Sequence, residues 1–227
     1  MDRGENRAEA VHDAHEPPEI PDIKDDPSGQ DDRALTRGRR ERSMRAKQER
    51  IHAAARDLFA LKGYSTVTTQ EIADRADVAQ GTLFRYAASK AEMLLMVYND
   101  ELRRITGQAT APAPGPTEQI MQLFTPLITL AMQQHENTLV YQREILFGDA
   151  SGQHHGQGMA LLQQLEAAIV QVLLKGPAPA SAELAARCIF ATLHLELVRT
   201  GLGQQLPQRL PSLLRAEIEL MVAPNLG

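Results

Sequence analysis

Residues Thr68–Leu94 read TTQEIADRADVAQGTLFRYAASKAEML, and the architecture follows from their spacing. Thr68-x-x-Glu71 is a capping box that opens a short helix, with Ile72, Ala73 and Ala76 on its inner side. Asp77-Val78-Ala79 reads as a turn, after which a second short helix runs from about Gln80 to Tyr86. Asp77 either sits in a turn that needs no left-handed residue or caps the helix that follows. Ser89-x-x-Glu92 is a second capping box and opens a longer helix through Met93, Leu94, Val97 and Leu102 to about Ile105. Two short helices joined by a three-residue turn and packed on a longer one form a helix-turn-helix. Ile72, Ala73, Ala76, Val78 and Leu83 supply its small core, and the two alanines let the helices cross closely.

If Leu83 points inward, a 100° step per residue directs Gly81 and Arg85 most nearly outward, with Thr82 and Phe84 beside them. Gly81 lets a backbone come close. Thr82 can donate to a phosphate or touch a thymine methyl, Gln80 can pair with adenine, and Arg85 can pair with guanine or phosphate. Tyr86 and Lys90 stand at the far end, suited to phosphate, and Lys90 opens a helix whose N–H groups favour an anion.

Upstream, Ile51, Ala54, Ala55, Leu58 and Phe59 form one stripe of a helix from about Arg45 to Lys62, and Gly63 is placed to end it. Before that stripe the charge divides sharply. Residues 1–32 hold eleven acids and three bases, with Pro17, Pro18, Pro21 and Pro27, and read as disordered. Residues 33–62 hold ten bases and three acids. Arg37, Arg39, Arg40 and Arg42 in this block read as an arm that contacts phosphates or enters a minor groove. The net charge of -5 conceals this asymmetry, which points to nucleic acid as a partner.

The stretch Thr68–Leu94, within about Arg45–Leu102, resembles the TetR family of bacterial transcriptional regulators. The family pattern is Thr-x-x-Ile-Ala, Val-x-x-Gly-Thr-Leu, an aromatic pair, and Ser-Lys-x-Glu-x-Leu. The resemblance implies a homodimer with one helix-turn-helix per subunit and an all-helical C-terminal domain that binds a small ligand. It also implies operator contacts from Gln80, Gly81, Thr82, Phe84, Arg85, Tyr86 and Lys90, with Thr68 or Thr69 near a phosphate. This chain departs from the pattern at Asp77, where glycine is usual, at Phe84-Arg85, where tyrosines are usual, and at Ala87, where phenylalanine is usual. Phe84 cannot donate to phosphate, and Ala87 thins the packing beneath the second short helix.

After a breaker at Gly107–Pro116 the periodicity stays helical, near residues 117–134, 136–147, 158–174, 181–200 and 207–222. The expected fold is all-α, in three parts: tail and basic arm (1–40), helix-turn-helix domain (41–90), and helical ligand-binding and dimerisation domain (91–227). Helix 181–200 is apolar on every side, so one side can face a second subunit through Leu184, Cys188 and Leu195. Leu210, Leu213, Leu214, Ile218 and Met221 of helix 207–222 would complete an intersubunit four-helix bundle. Candidate pocket walls are Met93, Met96, Met121, Phe124, Leu127, Met132, Tyr141, Phe147 and Phe190, an adaptable methionine-rich set. His194 and Glu196 read either as polar pocket groups or as satisfied core residues. His154-His155 reads as part of a flexible polar loop rather than a metal site, since no third ligand stands at a recognisable spacing.

The single cysteine, Cys188, excludes an intrachain disulfide, and no phosphate-binding loop, nucleophile elbow, zinc helix or dinucleotide glycine motif is present. The expectations are therefore no enzyme, no cofactor, no metal, no membrane partner and a cytoplasmic location. The function expected is a ligand-responsive repressor that binds a palindromic operator in double-stranded DNA as a homodimer and is released by a small apolar effector. The alternative is a helical binding protein for lipophilic molecules with vestigial DNA binding.

Overall fold

A computed structural model describes the backbone of residues 27–107, 113–176 and 179–223, with side chains from Gly38 onward. The acidic tail before Pro27 and the Arg37 side chain lie outside the described residues. Among those described the regular elements are all helical: α1 (Pro27–Lys62), α2 (Thr69–Ala76), α3 (Gln80–Leu83), α4 (Lys90–Thr106), α5 (Pro116–Gln133), α6 (His135–Phe147), α7 (Gln153–Leu173), α8 (Ala182–Gly201) and α9 (Leu210–Val222), with 3₁₀ turns at Pro179–Ser181 and Pro207–Arg209. The chain divides into two units, residues 1–42 and 43–227. In the first, Arg39, Arg40 and Arg42 are exposed, and the Arg42 Nε donates to the Gly38 carbonyl at 3.2 Å.

Helix α1 begins at Pro27, inside the stretch expected to be disordered. Proline is suited to a first helical turn, and the Arg, Ala, Leu, Glu and Gln that follow are good helix formers. In the second unit, Ile51, Ala54, Ala55, Leu58 and Phe59 bury one side of α1. Gly63, at φ 78°, ends the helix with its N–H on the Phe59 carbonyl at 3.0 Å. Thr68 caps α2: its side chain accepts from the Glu71 N–H, and the Glu71 carboxylate accepts from the Thr68 N–H at 2.8 Å. Lys62 joins the same carboxylate at 2.6 Å, and together these partners bring the Glu71 pKa down to about 2.

The second capping box is only half formed. Ser89 accepts from the Glu92 N–H, but the Glu92 carboxylate turns away and accepts from the His154 N–H at 3.1 Å. Helix α7 accordingly starts at Gln153, before the glycines expected to keep it open. His154 and His155 are buried in its first turn, and His155 Nε2 lies 3.0 Å from the Ile145 carbonyl. They are not a flexible loop, because partners on α4 and α6 offset the poor helix propensity of Gly156 and Gly158.

Helix α4 packs on α5, α6 and α7, while α8 packs on α6, α7 and α9. Leu210, Leu214 and Ile218 are wholly buried where α9 meets α5 and α8, so they are not available to a second subunit as expected. Only Leu213 and Met221 of the five α9 residues named for that role keep some exposure. On α8, by contrast, Leu184 is 67% exposed, Leu195 is 50% exposed and Cys188 is exposed.

Candidate functional site

The outward element of the helix-turn-helix is shorter than its periodicity predicted. Helix α3 covers Gln80–Leu83, and the chain continues as tight turns in which Arg85 and Tyr86 donate to the Thr82 and Leu83 carbonyls at 3.2 and 2.9 Å. Leu83 is completely buried, and it holds Gln80, Gly81, Phe84 and Arg85 exposed with Thr82 at their edge. A side-chain atom at Gly81 would meet nothing of the protein, so nothing on this side hinders a close approach. Gln80 Nε2 donates to Thr69 Oγ1 at 3.2 Å, which brings the start of α2 into the same surface. Asp77 takes a left-handed conformation, φ 53° and ψ 55°, and its carboxylate pairs with Arg50 at 3.1 Å. The turn therefore does need that conformation, and Asp77 does not cap α3, whose N-cap is Ala79.

Two residues named for phosphate are otherwise engaged. The Lys90 ammonium turns inward, donating to the Tyr64 and Val67 carbonyls, both at 2.9 Å, and lying 4.3 Å from the centre of the Tyr64 ring. The Tyr86 hydroxyl donates to the Met44 carbonyl at 3.3 Å. They act as struts: Lys90 ties α4 to the loop between α1 and α2, and Tyr86 ties the segment after α3 to α1.

Behind this surface lies a hydrogen-bonded path through side chains that sequence reasoning missed. His154 Nε2 is 3.0 Å from the Tyr86 carbonyl, at the end of the outward segment. Asn99 Nδ2 donates to the His154 carbonyl at 2.7 Å, and the Tyr141 hydroxyl donates to Asn99 Oδ1 at 3.1 Å. A second tie joins α6 to the end of α1: Asn137 Nδ2 donates to the Phe59 carbonyl at 2.9 Å, and Glu136 accepts from the Ser65 N–H at 2.6 Å. Asn99 and Asn137 are fully or almost fully buried. A polar residue on an apolar stripe is the informative exception. Thr138, Tyr141, Gln142 and Ile145 stand at i, i+3, i+4, i+7 and would have flagged Gln142 in the same way.

Tyr141 also faces a partly open cavity of ≈ 50 Å³ between α4, α5, α6, α7 and α8. Six leucines line it (Leu102, Leu127, Leu130, Leu162, Leu165 and Leu193), together with Tyr98, Thr138, Gln142 and His194. Of the expected pocket walls, Leu127, Tyr141 and His194 are here. Met93, Met121 and Phe124 are buried core outside it, Met132 and Phe190 pack against that core, and Met96 faces an open cleft beside α1. Phe147, at the end of α6, is 83% exposed and lines no wall of this cavity. Burial pushes the Tyr98 and Tyr141 phenols far above their ordinary pKa and lowers that of His194, so all three stay uncharged. Glu196 faces elsewhere, buried and paired with Arg199 at 2.8 Å.

Among the described residues no group of His, Cys, Asp and Glu is placed to hold a metal ion, and no helix is long and apolar enough to cross a membrane.

Residues 51–97 match the family model described as bacterial regulatory proteins, tetR family. The HTH-type transcriptional repressor KstR of Rhodococcus jostii is 40% identical over 124 residues, which is 52% of this chain and 58% of that protein. KstR of Mycobacterium tuberculosis is 33% identical over 112 residues, 48% of this chain and 51% of its own length. The chain thus spans little more than half the length of these relatives. A TetR transcriptional regulator from a Rhodococcus species superposes with a TM-score of 0.66 over 82% of this chain and 100% of its own, and at 19% identity that likeness is one of fold. FadR of Thermus thermophilus, a repressor solved in complex with lauroyl-CoA, superposes with a TM-score of 0.55 at 26% identity, covering 79% of this chain and 95% of its own.

Proposed function

Because this chain belongs to the TetR family, we propose that it is a DNA-binding transcriptional repressor released from its operator by a small, largely apolar effector. The observation that carries this reading is the buried Leu83 with Gln80, Gly81 and Arg85 exposed around it. Residues 41–90 serve as the operator-binding domain and 91–227 as the effector domain. In a homodimer, two copies of α3 would enter successive major grooves about 34–36 Å apart on a palindromic site. Gln80 and Arg85 read bases, and Thr68, Thr69, Thr82 and the arm of Arg37, Arg39, Arg40 and Arg42 meet backbone phosphates. Phe84 can offer apolar contact only.

The leucine-lined cavity is the effector site in this reading. FadR's complex with lauroyl-CoA supports a ligand with a long apolar portion. The path Tyr141–Asn99–His154 to the Tyr86 carbonyl, together with α4, is the lever. An effector that parts the cavity walls shifts α7 and α4, and with them the segment that ends α3. It acts only through the difference in its affinity for the two arrangements.

A titration of operator and random DNA against salt tests the reading. A repressor keeps a large affinity ratio for its operator at each salt concentration, whereas vestigial binding gives only a steep slope blind to sequence. Arg85→Ala is expected to lower that ratio by about ten-fold or more, the discrimination of one bidentate base contact. Truncation of residues 1–44 is expected to weaken all sequences alike. An unchanged ratio for Arg85→Ala would take base reading away from that residue.

A further inference from the structure

We propose that Gln142 and His194 form a polar anchor in the leucine-lined cavity, and that they select an uncharged hydroxyl at that end of the effector. The proposal rests on reading this cavity as the effector site. Five polar side chains line it. Three already have partners inside the protein. The Tyr98 hydroxyl donates to Gln134 Oε1 at 3.3 Å and lies 3.5 Å from Thr138 Oγ1, and the Tyr141 hydroxyl donates to Asn99. The remaining two do not: Gln142 Oε1 and His194 Nδ1 are shut off from water and have no hydrogen-bond partner. Buried polar atoms in native proteins are almost always paired, so two orphans lining one cavity mark a place where a ligand or a bridging water supplies the bonds.

The chemistry of the two atoms narrows the ligand. Gln142 Oε1 can only accept, so the group that meets it must donate. That excludes a carboxylate, a ketone, an ester and an ether. No Asp, Glu, Lys or Arg lines the cavity, so an ammonium would be buried without a counter-charge. Burial keeps the imidazole of His194 neutral, and its ring is held edge-on against Phe190 with centroids 4.6 Å apart. A neutral imidazole nitrogen gives or takes one hydrogen bond according to its tautomer. A hydroxyl donates once and also accepts, and so can serve both atoms together. The leucines around them suit an aliphatic body behind that hydroxyl.

The test uses the full chain and three probes that share an eight-carbon chain: 1-octanol, 1-methoxyoctane and octanoate at pH 7.5. Binding is read by displacement of a lipophilic fluorescent dye. We expect 1-octanol to bind about ten-fold tighter than either of the others, the worth of one to two neutral hydrogen bonds. In Gln142→Leu the preference for the alcohol over the ether should fall to near one. The melting temperature of the ligand-free variant should hold or rise, since an orphaned acceptor is replaced by an apolar group of similar size. The anchor is overturned if the ether or octanoate binds as well as the alcohol. It is also overturned if 1-octanol does not bind at saturation, if Gln142→Leu keeps the preference, or if that variant melts more than about 4 °C lower, as loss of a structural bond would require. Operator affinity, measured on the same samples by gel shift, separates the two readings. An alcohol preference with no effect on DNA supports the anchor and sinks the effector reading. Release of the operator by all three probes alike sinks the anchor alone.

Discussion

Asp77 carries the tightest backbone constraint in the helix-turn-helix. At φ 53° it adopts a conformation that costs an L-residue about 1–2 kcal/mol, less for Asp than for most, and it is the only non-glycine among the described residues to do so. Its N–H reaches the Asp74 carbonyl at 3.2 Å and that of Val78 the Ala73 carbonyl at 3.1 Å, which sets the entry of α3. The carboxylate's bond to Arg50 is exposed and worth little. Asp77→Gly should therefore raise stability by up to about 1 kcal/mol, and Asp77→Val should lower it by about 1–2 kcal/mol. Denaturant midpoints of the two variants check this, and a stabilised valine variant would contradict it.

Helix α7 shows how an element gains order from its neighbours. Gly158 passes so close to α4 and α6 that an added Cβ would lie 2.5 Å from Ile145 Cδ1, 2.9 Å from Asn99 Oδ1 and 3.2 Å from the Tyr141 hydroxyl. Alanine gains about 1 kcal/mol of helix propensity over glycine, but overpacking costs about 1–3 kcal/mol. Ile145 can yield, whereas Asn99 is wholly buried and bonded on both sides, so the clash prevails. Gly158→Ala should lose about 1 kcal/mol or more and should blunt the response of operator binding to effector. Equal stability with an intact response would show that the path through Asn99 is not a lever.

The buried imidazole of α8 gives this element a pH dependence. Burial lowers the His194 pKa below its ordinary 6.5, and burial does the same to His52 against the opposing pull of Asp100. As the pH falls through 6.5 the unfolded chain takes up protons that the folded state refuses, so stability declines toward pH 5.5. Glu217 works in the opposite sense: burial and Glu196 raise its pKa, so its contribution is present at low pH and is lost as the pH rises above its ordinary 4.5. His194→Phe isolates the histidine. The drop in denaturant midpoint between pH 7.5 and 5.5 should shrink in this variant, and an equal drop would remove His194 as its source.

At the scale of the whole molecule the outer side of α8 leaves large apolar side chains uncovered. Leu184 and Leu195 are largely exposed with Cys188 between them, and Leu220 of α9 is 80% exposed. Exposed apolar side chains along one side of a helix suit an interface, and the proposed palindromic operator needs paired copies of α3. Leu184→Glu with Leu195→Glu should leave the protomer folded, convert the proposed homodimer to a monomer in light scattering, and abolish the proposed operator preference while sparing sequence-blind binding at low salt. A double variant that stays dimeric would move the interface elsewhere.

The local rules of capping, periodicity and side-chain direction were enough to read the helix-turn-helix from Thr68–Leu94, to set Leu83 inward and Arg85 outward, and to give an all-α chain, because each depends on residues a few positions apart. Tertiary contacts decided the rest. They turned Glu92 from its own helix to the N-terminus of α7, drew Lys90 onto the carbonyls of Tyr64 and Val67, and put Leu210, Leu214 and Ile218 in the protomer's own core. They also left Gln142 and His194 unpaired at a cavity lined mostly by leucines. A stripe shows which side of a helix is apolar, but the partner it meets depends on how distant helices cross, and a polar atom's needs are met or missed only where those helices come together.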